Sequence, residues 1–365
     1  MQSKVITQLR RRQKELFRNV NVDVFFIPNF SNDISFCYFT DLPLGMFTYN
    51  SLIMESNGKR TLLSNALQDT LLKKLAKKCD FKVVNTRKVG YWKTVKRYLN
   101  KKRVGVNYAE ISLALFNNIK KETKANLVDI GKDVSKLREK KDKEEQRRLK
   151  IAARKISSII ENVPNLVKRN ISERELSNKI DLEIRNIGLE PAFQTIVASA
   201  NNAATPHHIP GNMKLKKGFL IVDAGVRYKN YCSDISRTFY LGKAKENHKK
   251  LYETVLSAKS LAEDTISSGD DAASTFKVVE NFLNKRGFKL LHALGHGLGL
   301  EIHDVPGRIS RDSKFKFVDG LCFTLEPAIY GSFGGIRIEN DYLIKDGKPK
   351  KISNATETLQ QISLN

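Results

Sequence analysis

Four acidic residues stand inside strand-like apolar runs in the second half of the chain: Asp223, Asp234, Glu326 and Glu339. A buried carboxylate is costly unless a cation or hydrogen-bond donors compensate for the lost water. Oxygen-rich sites suit hard or borderline divalent ions, and four carboxylates with one imidazole would neutralise two such ions around a bridging water. The pattern therefore predicts a two-metal hydrolytic centre.

His296 supplies the imidazole, within a glycine-rich segment at 292–303 that reads HALGHGLGLEIH. Three glycines in five positions exclude an ordinary helix. On a flat strand, His296 and His303 would face opposite sides because they are seven residues apart. We therefore expect the glycines to introduce a bend or bulge that lets both histidines serve one site.

A single acid with apolar neighbours is more often part of a structural ion pair than a metal ligand, and His208, His248 and Glu301 are assigned no role on similar grounds. Asp223 and Asp234 differ, because eleven residues across a turn can place two carboxylates on one face of a hairpin. Their combination with a later histidine and two glutamates is improbable by chance.

The elements that must position these residues alternate helices and strands. In the first part of the chain we predict a basic helix at 5–17, a strand at 22–27, a hairpin around Asn57-Gly58 and helices at 66–78 and 91–103, which form a small α/β unit. The second part reads helix, helix, strands, and then the same order again. The predicted elements there are a long helix from 137, a helix from the Ser172/Glu175 capping box, strands at 218–226 and 231–241, helices at 246–267 and 272–286, and strands at 321–329 and 335–344.

Length and composition favour two domains and a cytoplasmic protein. A chain of 365 residues exceeds what one core usually serves, and no stretch has the apolar length of a membrane span or a secretory signal. The cysteines are too scattered to indicate a disulfide framework or a thiolate zinc site: Cys37, Cys79, Cys232 and Cys322.

The net charge of +25 is concentrated in residues 1–140, which carry 28 lysines and arginines against 12 acidic residues. Such a surface permits a polyanionic partner, but a solvated face is the more common reason for a run of charge. Because the sequence contains no nucleic-acid-binding motif, we do not expect a nucleic-acid partner.

Four segments together resemble the pita-bread metallopeptidases, the family of prolidase, aminopeptidase P and methionine aminopeptidase. They read DAG…CSDISRTF at 223–239, GHGLGLEIHDVP at 295–306, TLEPAIY at 324–330 and GIRIEND at 335–341. The resemblance implies an α+β fold in which a pita-bread catalytic domain, pseudo-duplicated helices over a curved and mainly antiparallel sheet, occupies residues 135–365. A smaller α/β domain like that of creatinase and prolidase would occupy 1–134, which argues against a methionine aminopeptidase.

The same resemblance implies roles for individual residues. Two divalent ions (Mn, Co, Zn or Fe) would be held by Asp223, Asp234, His296, Glu326 and Glu339. The metals would lower the pKa of a shared water, Glu326 would relay its proton, and His303 would stabilise developing negative charge. His207 matches a histidine that lies near the substrate in this family. Arg308 lies one residue away from the position of the arginine that binds the dipeptide's terminal carboxylate in prolidases. Arg337 could contact substrate, although a structural role suits it better.

The resemblance leaves two substrate classes open: dipeptides with an Xaa-Pro bond, which we rank slightly ahead, and longer Xaa-Pro peptides. It also suggests a homodimer. An alternative from another class is an inactive pita-bread module whose basic first domain binds nucleic acid or protein. A third is a hydrolase of small amidino substrates. All five ligand types are present, which disfavours both.

Overall fold

The computed structural model describes residues 2–30, 33–45 and 47–363, except the side chains of residues 2–4 and 77–79. The side chain of Cys79 thus lies outside the described part, whereas Cys37, Cys232 and Cys322 are buried free thiols. The chain forms two compact units, Met1–Arg138 and Glu139–Asn365. Within the described ranges, every helix is too short or too polar to cross a membrane.

The first unit contains one mixed sheet of six strands with helices between them. In chain order its elements are α1 Gln2–Asn19, β1 Val24–Asn29, α2 Ile34–Thr40, β2 Asn50–Glu55, β3 Arg60–Ser64, α3 Asp69–Cys79, β4 Lys82–Asn85, α4 Tyr91–Leu99, β5 Arg103–Val106, α5 Leu113–Thr123, β6 Asn126–Asp129 and α6 Gly131–Glu139. The strand order is β4-β3-β2-β1-β5-β6. Val95 and Leu99 of α4 belong to the same buried cluster as Val24 and Phe26 of β1, so the apolar stripe predicted on this helix faces the sheet.

The second unit begins with two helices and a four-stranded sheet. Its first elements are α7 Lys143–Leu166, α8 Glu173–Asn186, β7 Glu190–Pro191, β8 Ile196–Ser199, a 3-10 turn at Ala200–Ala204, β9 Gly218–Ala224, β10 Val226–Tyr228, β11 Tyr231–Cys232 and β12 Ile235–Leu241. The predicted capping box at Ser172 and Glu175 is present at the start of α8. Apolar residues of α7 and α8 pack on β9 and β12, which explains why β9 and β12 are buried along their length.

The order of helices and strands then repeats. The remaining elements are α9 Glu246–Thr265, α10 Ala272–Asn284, β13 Gly295–Gly297, β14 Asp304–Ile309, β15 Cys322–Leu325, β16 Ala328–Gly331, β17 Gly334–Arg337, β18 Asn340–Lys345, β19 Lys348–Lys351 and β20 Gln361–Ile362. Strands β14-β13-β15-β18-β19 form a five-stranded sheet whose core is shared with α9 and α10. Each helix pair thus covers one half of the strands, as the predicted pseudo-duplication requires.

Five predicted elements were wrong in their continuity. The strand expected at 218–226 breaks between β9 and β10, and the strand expected at 231–241 breaks between β11 and β12. The helix expected from 137 is two helices, because α6 ends at Glu139 and the Asp142 side chain caps a new start at Lys143. The strand expected at 321–329 breaks between β15 and β16, and the strand at 335–344 breaks between β17 and β18. Glu326 and Glu339 lie in those two breaks, where the backbone leaves the ladder.

Candidate metal centre

Asp223 and Asp234 lie on one face of the β9–β12 hairpin. In the ladder Asp223 is opposite Ser236, and Asp234 precedes Ser236 by two residues. Since side chains alternate along a strand, all three point to the same side. Both aspartates are buried, with 8% and 5% of their surface exposed, so the hairpin brings two carboxylates together away from bulk water.

Each aspartate keeps one oxygen without a hydrogen-bond partner among the described residues, namely Oδ1 of Asp223 and Oδ1 of Asp234. The other oxygen of Asp223 accepts a hydrogen bond from Arg337 Nη2 at 2.7 Å. Oδ2 of Asp234 lies 3.6 Å from His296 Nε2. A buried carboxylate oxygen without a donor is costly, so these two orphaned atoms are places where a cation would be stabilising.

His296 reaches the cluster through the bend that its glycines were expected to produce. Strand β13 is only three residues long, and its register with β14 shifts between His296 and Gly297. A Cβ at Gly295 would lie 1.9 Å from Thr324 O, so no larger residue fits this close approach. His296 Nδ1 contacts Gly297 O at 3.1 Å. Donation to that carbonyl leaves the Nε2 lone pair free to act as a ligand.

The two glutamates complete the cluster from the strand breaks. Glu326 Oε1 lies 3.8 Å from His296 Nε2, and the Glu326 amide donates to Leu294 O at 2.8 Å. The Glu339 amide donates to Ser236 O at 3.1 Å, and Ser236 Oγ donates to Glu339 Oε2 at 3.0 Å. Each glutamate is therefore fixed by backbone contacts to a neighbouring strand, while its carboxylate is available to the site.

Burial and mutual repulsion shift the pKa values of these acids upward. Desolvation first, and then the charges of neighbouring carboxylates, raise the pKa values of Asp234 and Glu326 well above their ordinary values. Desolvation and the charge of Asp223 raise the pKa of Glu339 to about 8. Desolvation lowers the pKa of His296 to about 3, so its ring is neutral. Without cations the cluster thus favours protonated acids, and divalent cations would offset the negative charge that these carboxylates carry when ionised.

The donor set fits a divalent ion. One ligand atom each from Asp234, His296 and Glu339 lies within 4.8 Å of the others. Atoms that share a cation at about 2.1 Å lie roughly 3 to 4 Å apart, which the separations of His296 Nε2 from Asp234 and Glu326 match. Asp223 belongs to the same cluster, because its charge contributes to the raised pKa values of Asp234, Glu326 and Glu339.

The two predicted substrate histidines and Arg308 lie at the edge of this cluster. The His303 and His296 rings are 4.3 Å apart between centroids. Arg308 is opposite His296 in the β13–β14 ladder and is exposed. His207 is also exposed, and its charge contributes to the lowered pKa of His303, after desolvation and Arg308. These three residues therefore face solvent, whereas four of the five proposed ligands are buried and Glu326 is partly buried.

Arg337 has protein partners for its whole guanidinium. Besides Asp223, it donates to Ser236 Oγ at 2.8 Å and to Pro206 O and Tyr330 Oη at 3.1 and 3.0 Å. It is 2% exposed, which agrees with a structural role and leaves a substrate little access.

Sequence reasoning missed His292 and Tyr330. His292 Nδ1 lies 3.8 Å from Glu326 Oε2, and its Nε2 contacts Tyr330 Oη at 3.0 Å. Desolvation lowers the pKa of His292 to about 4. The available signal was the position of His292 four residues before His296, a spacing that places two side chains on the same face of a helix or of a strand.

The fold and the cluster define a metal-dependent peptidase of two domains, and comparison with known proteins agrees. The profile of metallopeptidase family M24 matches residues 147–346, and the creatinase/prolidase N-terminal domain matches residues 10–140. The chain belongs to metallopeptidase family M24, whose members depend on divalent metals.

Individual relatives are similar over most of the chain. The Xaa-Pro dipeptidase of Pyrococcus furiosus is 34% identical over 68% of this chain and 73% of its own length. The crystal structure of a dipeptidase from Pyrococcus horikoshii superposes with a TM-score of 0.85 at 29% identity, over 97% of this chain and 100% of that one. The X-Pro aminopeptidase of Thermotoga maritima superposes with a TM-score of 0.86 at 25% identity, over 95% and 99%.

Proposed function

We propose that this metallopeptidase hydrolyses the Xaa-Pro bond of dipeptides, with Asp223, Asp234, His296, Glu326 and Glu339 holding two divalent ions. The observation that carries the proposal is the buried cluster of acids with orphaned oxygens at Asp223 and Asp234, next to a neutral imidazole. Relatives named Xaa-Pro dipeptidase support the choice of bond. Manganese, cobalt, iron and zinc all suit such a donor set, and manganese is our working choice.

Bound divalent ions would supply Lewis-acid activation of water and charge neutralisation. The chain's own residues would do the rest. Glu326 would move a proton between the attacking water and the leaving amine. His303, at the exposed edge beside His296, would donate to the developing oxyanion. His207 would orient the substrate from the same edge, and Arg337 would order Asp223 through their buried hydrogen bond.

Arg308 is proposed to bind the carboxylate of the dipeptide. Its place opposite His296 and its exposure support this, since a substrate whose scissile bond lies at the cluster would end within reach of that edge. The second candidate is an Xaa-Pro aminopeptidase for longer peptides, favoured by the similarity to the Thermotoga enzyme. A domain boundary between residues 134 and 135, a homodimer and a cytoplasmic location complete the proposal.

A substrate panel measured with each metal tests the proposal. Wild type should cleave Leu-Pro better than Leu-Pro-amide or a longer Leu-Pro peptide, and should not cleave a Met-initiated peptide without proline. Arg308→Ala should raise KM for Leu-Pro by roughly 10- to 150-fold, the loss of a charge-assisted hydrogen bond worth about 1.5 to 3 kcal/mol. The amide should change little, because it has no carboxylate to bind.

Arg311→Ala is the matched control, because the Arg311 guanidinium is exposed and bonds Glu280 at 2.6 Å. If Arg308→Ala changes KM equally for Leu-Pro and Leu-Pro-amide, Arg308 does not bind the substrate carboxylate. A wild-type preference for longer peptides would put the aminopeptidase first. Cleavage of the proline-free peptide alone would contradict both.

A further inference from the structure

The first unit contains a groove of about 1190 Å³ that is strongly basic. We call it the basic groove; α1, the β2–β3 turn, the start of β4 and the end of α4 line it. Eight lysines and arginines line the basic groove, against two acidic residues, Glu55 and Asp80. The sequence showed only that this part of the chain is basic, whereas the structure collects the charge in one concave surface.

Most of this positive charge is available to a partner. Six of the eight cations have no ion-pair partner within the described ranges: Lys14, Arg18, Lys59, Lys82, Arg97 and Lys102. All but Lys102 are exposed, and Lys102 is partly exposed. The other two are engaged, since Arg10 pairs with Asp80 and buried Arg60 donates to Leu9 O at 2.8 Å. Asp80 is therefore already neutralised, and only Glu55 remains to offset six free cations.

Collecting like charges in a concavity has an electrostatic cost that a bound polyanion would remove. A groove lined by one sign of charge also focuses its field and concentrates counter-ions. Exposed cations elsewhere in the described part of the chain are paired in some places, as Arg147 is with Glu144, and unpaired in others, as Lys277 and Lys314 are. The basic groove differs because six unpaired cations meet in one concave surface, and this concentration points to an anionic ligand from outside the chain.

Three aromatic residues favour nucleic acid over other polyanions. Phe17, Phe81 and Tyr98 are partly buried among the cations of the basic groove. The Phe17 ring packs on Phe25 and Arg60 lies over the Phe81 ring, whereas Tyr98 has no ring contact among the described residues. A cationic groove with aromatic side chains is the arrangement that binds single strands, because cations contact successive phosphates while bases stack on rings. An acidic peptide offers no bases to stack, and a bilayer is too flat to fill a concavity.

We propose that the basic groove binds single-stranded nucleic acid through its backbone phosphates, without sequence selection. The contributing residues are spread from Lys14 to Lys102 in the sequence and meet only in the fold. This spread accounts for the lack of any recognisable binding motif. The proposed peptidase function is independent of this binding.

Binding of fluorescein-labelled oligouridylate to the full-length protein, followed by anisotropy over a range of salt concentrations, tests the proposal. Each phosphate contact to a single strand contributes a slope of about −0.7 in log K against log salt, so four contacts predict about −3. The groove variant replaces four cations by glutamine: K14Q, R18Q, K82Q and R97Q. It should bind at least about tenfold more weakly at about 50 mM salt and show a shallower slope.

The control variant removes the same charge from exposed, unpaired lysines of the second unit: K277Q, K285Q, K289Q and K314Q. It should bind nearly as wild type does, and both variants should keep wild-type peptidase activity. The proposal is overturned if wild type does not bind at low salt, or if both variants lose affinity equally. It is also overturned if polyglutamate or phosphatidylserine vesicles bind the basic groove as well as oligouridylate does.

Discussion

Removal of the metals should make the protein's stability fall as pH rises above neutrality. In the metal-free protein, burial and then the charge of Asp223 raise the pKa of Glu339 from 4.5 to about 8. The folded chain therefore holds a proton that the unfolded chain has already released. Above pH 4.5, each further pH unit favours unfolding by about 1.4 kcal/mol until the folded-state pKa is passed.

The histidines act in the opposite direction, but only at lower pH. Burial lowers the pKa of His292 to about 4 and that of His296 to about 3, from 6.5. Their contribution to stability is complete above pH 6.5 and is lost as pH falls toward those folded-state values. Between pH 6.5 and 8 only the acids contribute, and Glu339 alone should lower the free energy of unfolding by about 2 kcal/mol.

Urea denaturation of chelator-treated protein between pH 6.5 and 8 measures this effect. The metal-loaded protein should show a much smaller decline, because bound cations keep the carboxylates ionised in the folded state. In metal-free Glu339→Gln, residue 339 has no proton to release. Its free energy of unfolding should therefore fall by about 2 kcal/mol less than that of wild type over this pH interval. A metal-free wild type whose stability is flat or rises over this interval would refute the reasoning.

Two further substitutions test individual residues of the site. His303→Ala should keep its metals while kcat falls by about 10² or more, since it removes a group that stabilises charge only in the transition state; loss of metal, measured by elemental analysis, would contradict this assignment. Ser236→Ala should weaken metal affinity about tenfold, because Glu339 loses a donor at 3.0 Å and Arg337 loses an acceptor at 2.8 Å. An unchanged dissociation constant in a metal titration would show that Ser236 does not orient Glu339.

The sequence predicted those features that follow from local patterns. The shared face of Asp223, Asp234 and Ser236 can be read from the two-residue period of a strand, and the capping box at Ser172 and Glu175 marks a helix start by itself. The bend at His296 was predictable because three glycines exclude regular structure. The family resemblance then supplied the grouping of distant segments.

Features that depend on distant contacts could not be predicted in this way. The strand breaks at Glu326 and Glu339 arise where their amides bond Leu294 O and Ser236 O, far away in sequence. The contact of His292 with Tyr330 and the partners of Arg337 likewise require the tertiary arrangement. The basic groove depends most on such distant contacts, because its cations come from several separate elements.

The most direct test of the proposed metal centre is anomalous diffraction from crystals grown with manganese, for wild type and for Glu339→Ala. The wild type should show two anomalous peaks about 3.5 Å apart, surrounded by Asp223, Asp234, His296, Glu326 and Glu339. Glu339→Ala should lose at least one peak together with activity. Peaks elsewhere in the wild type, or a variant that keeps both peaks and full activity, would contradict the account.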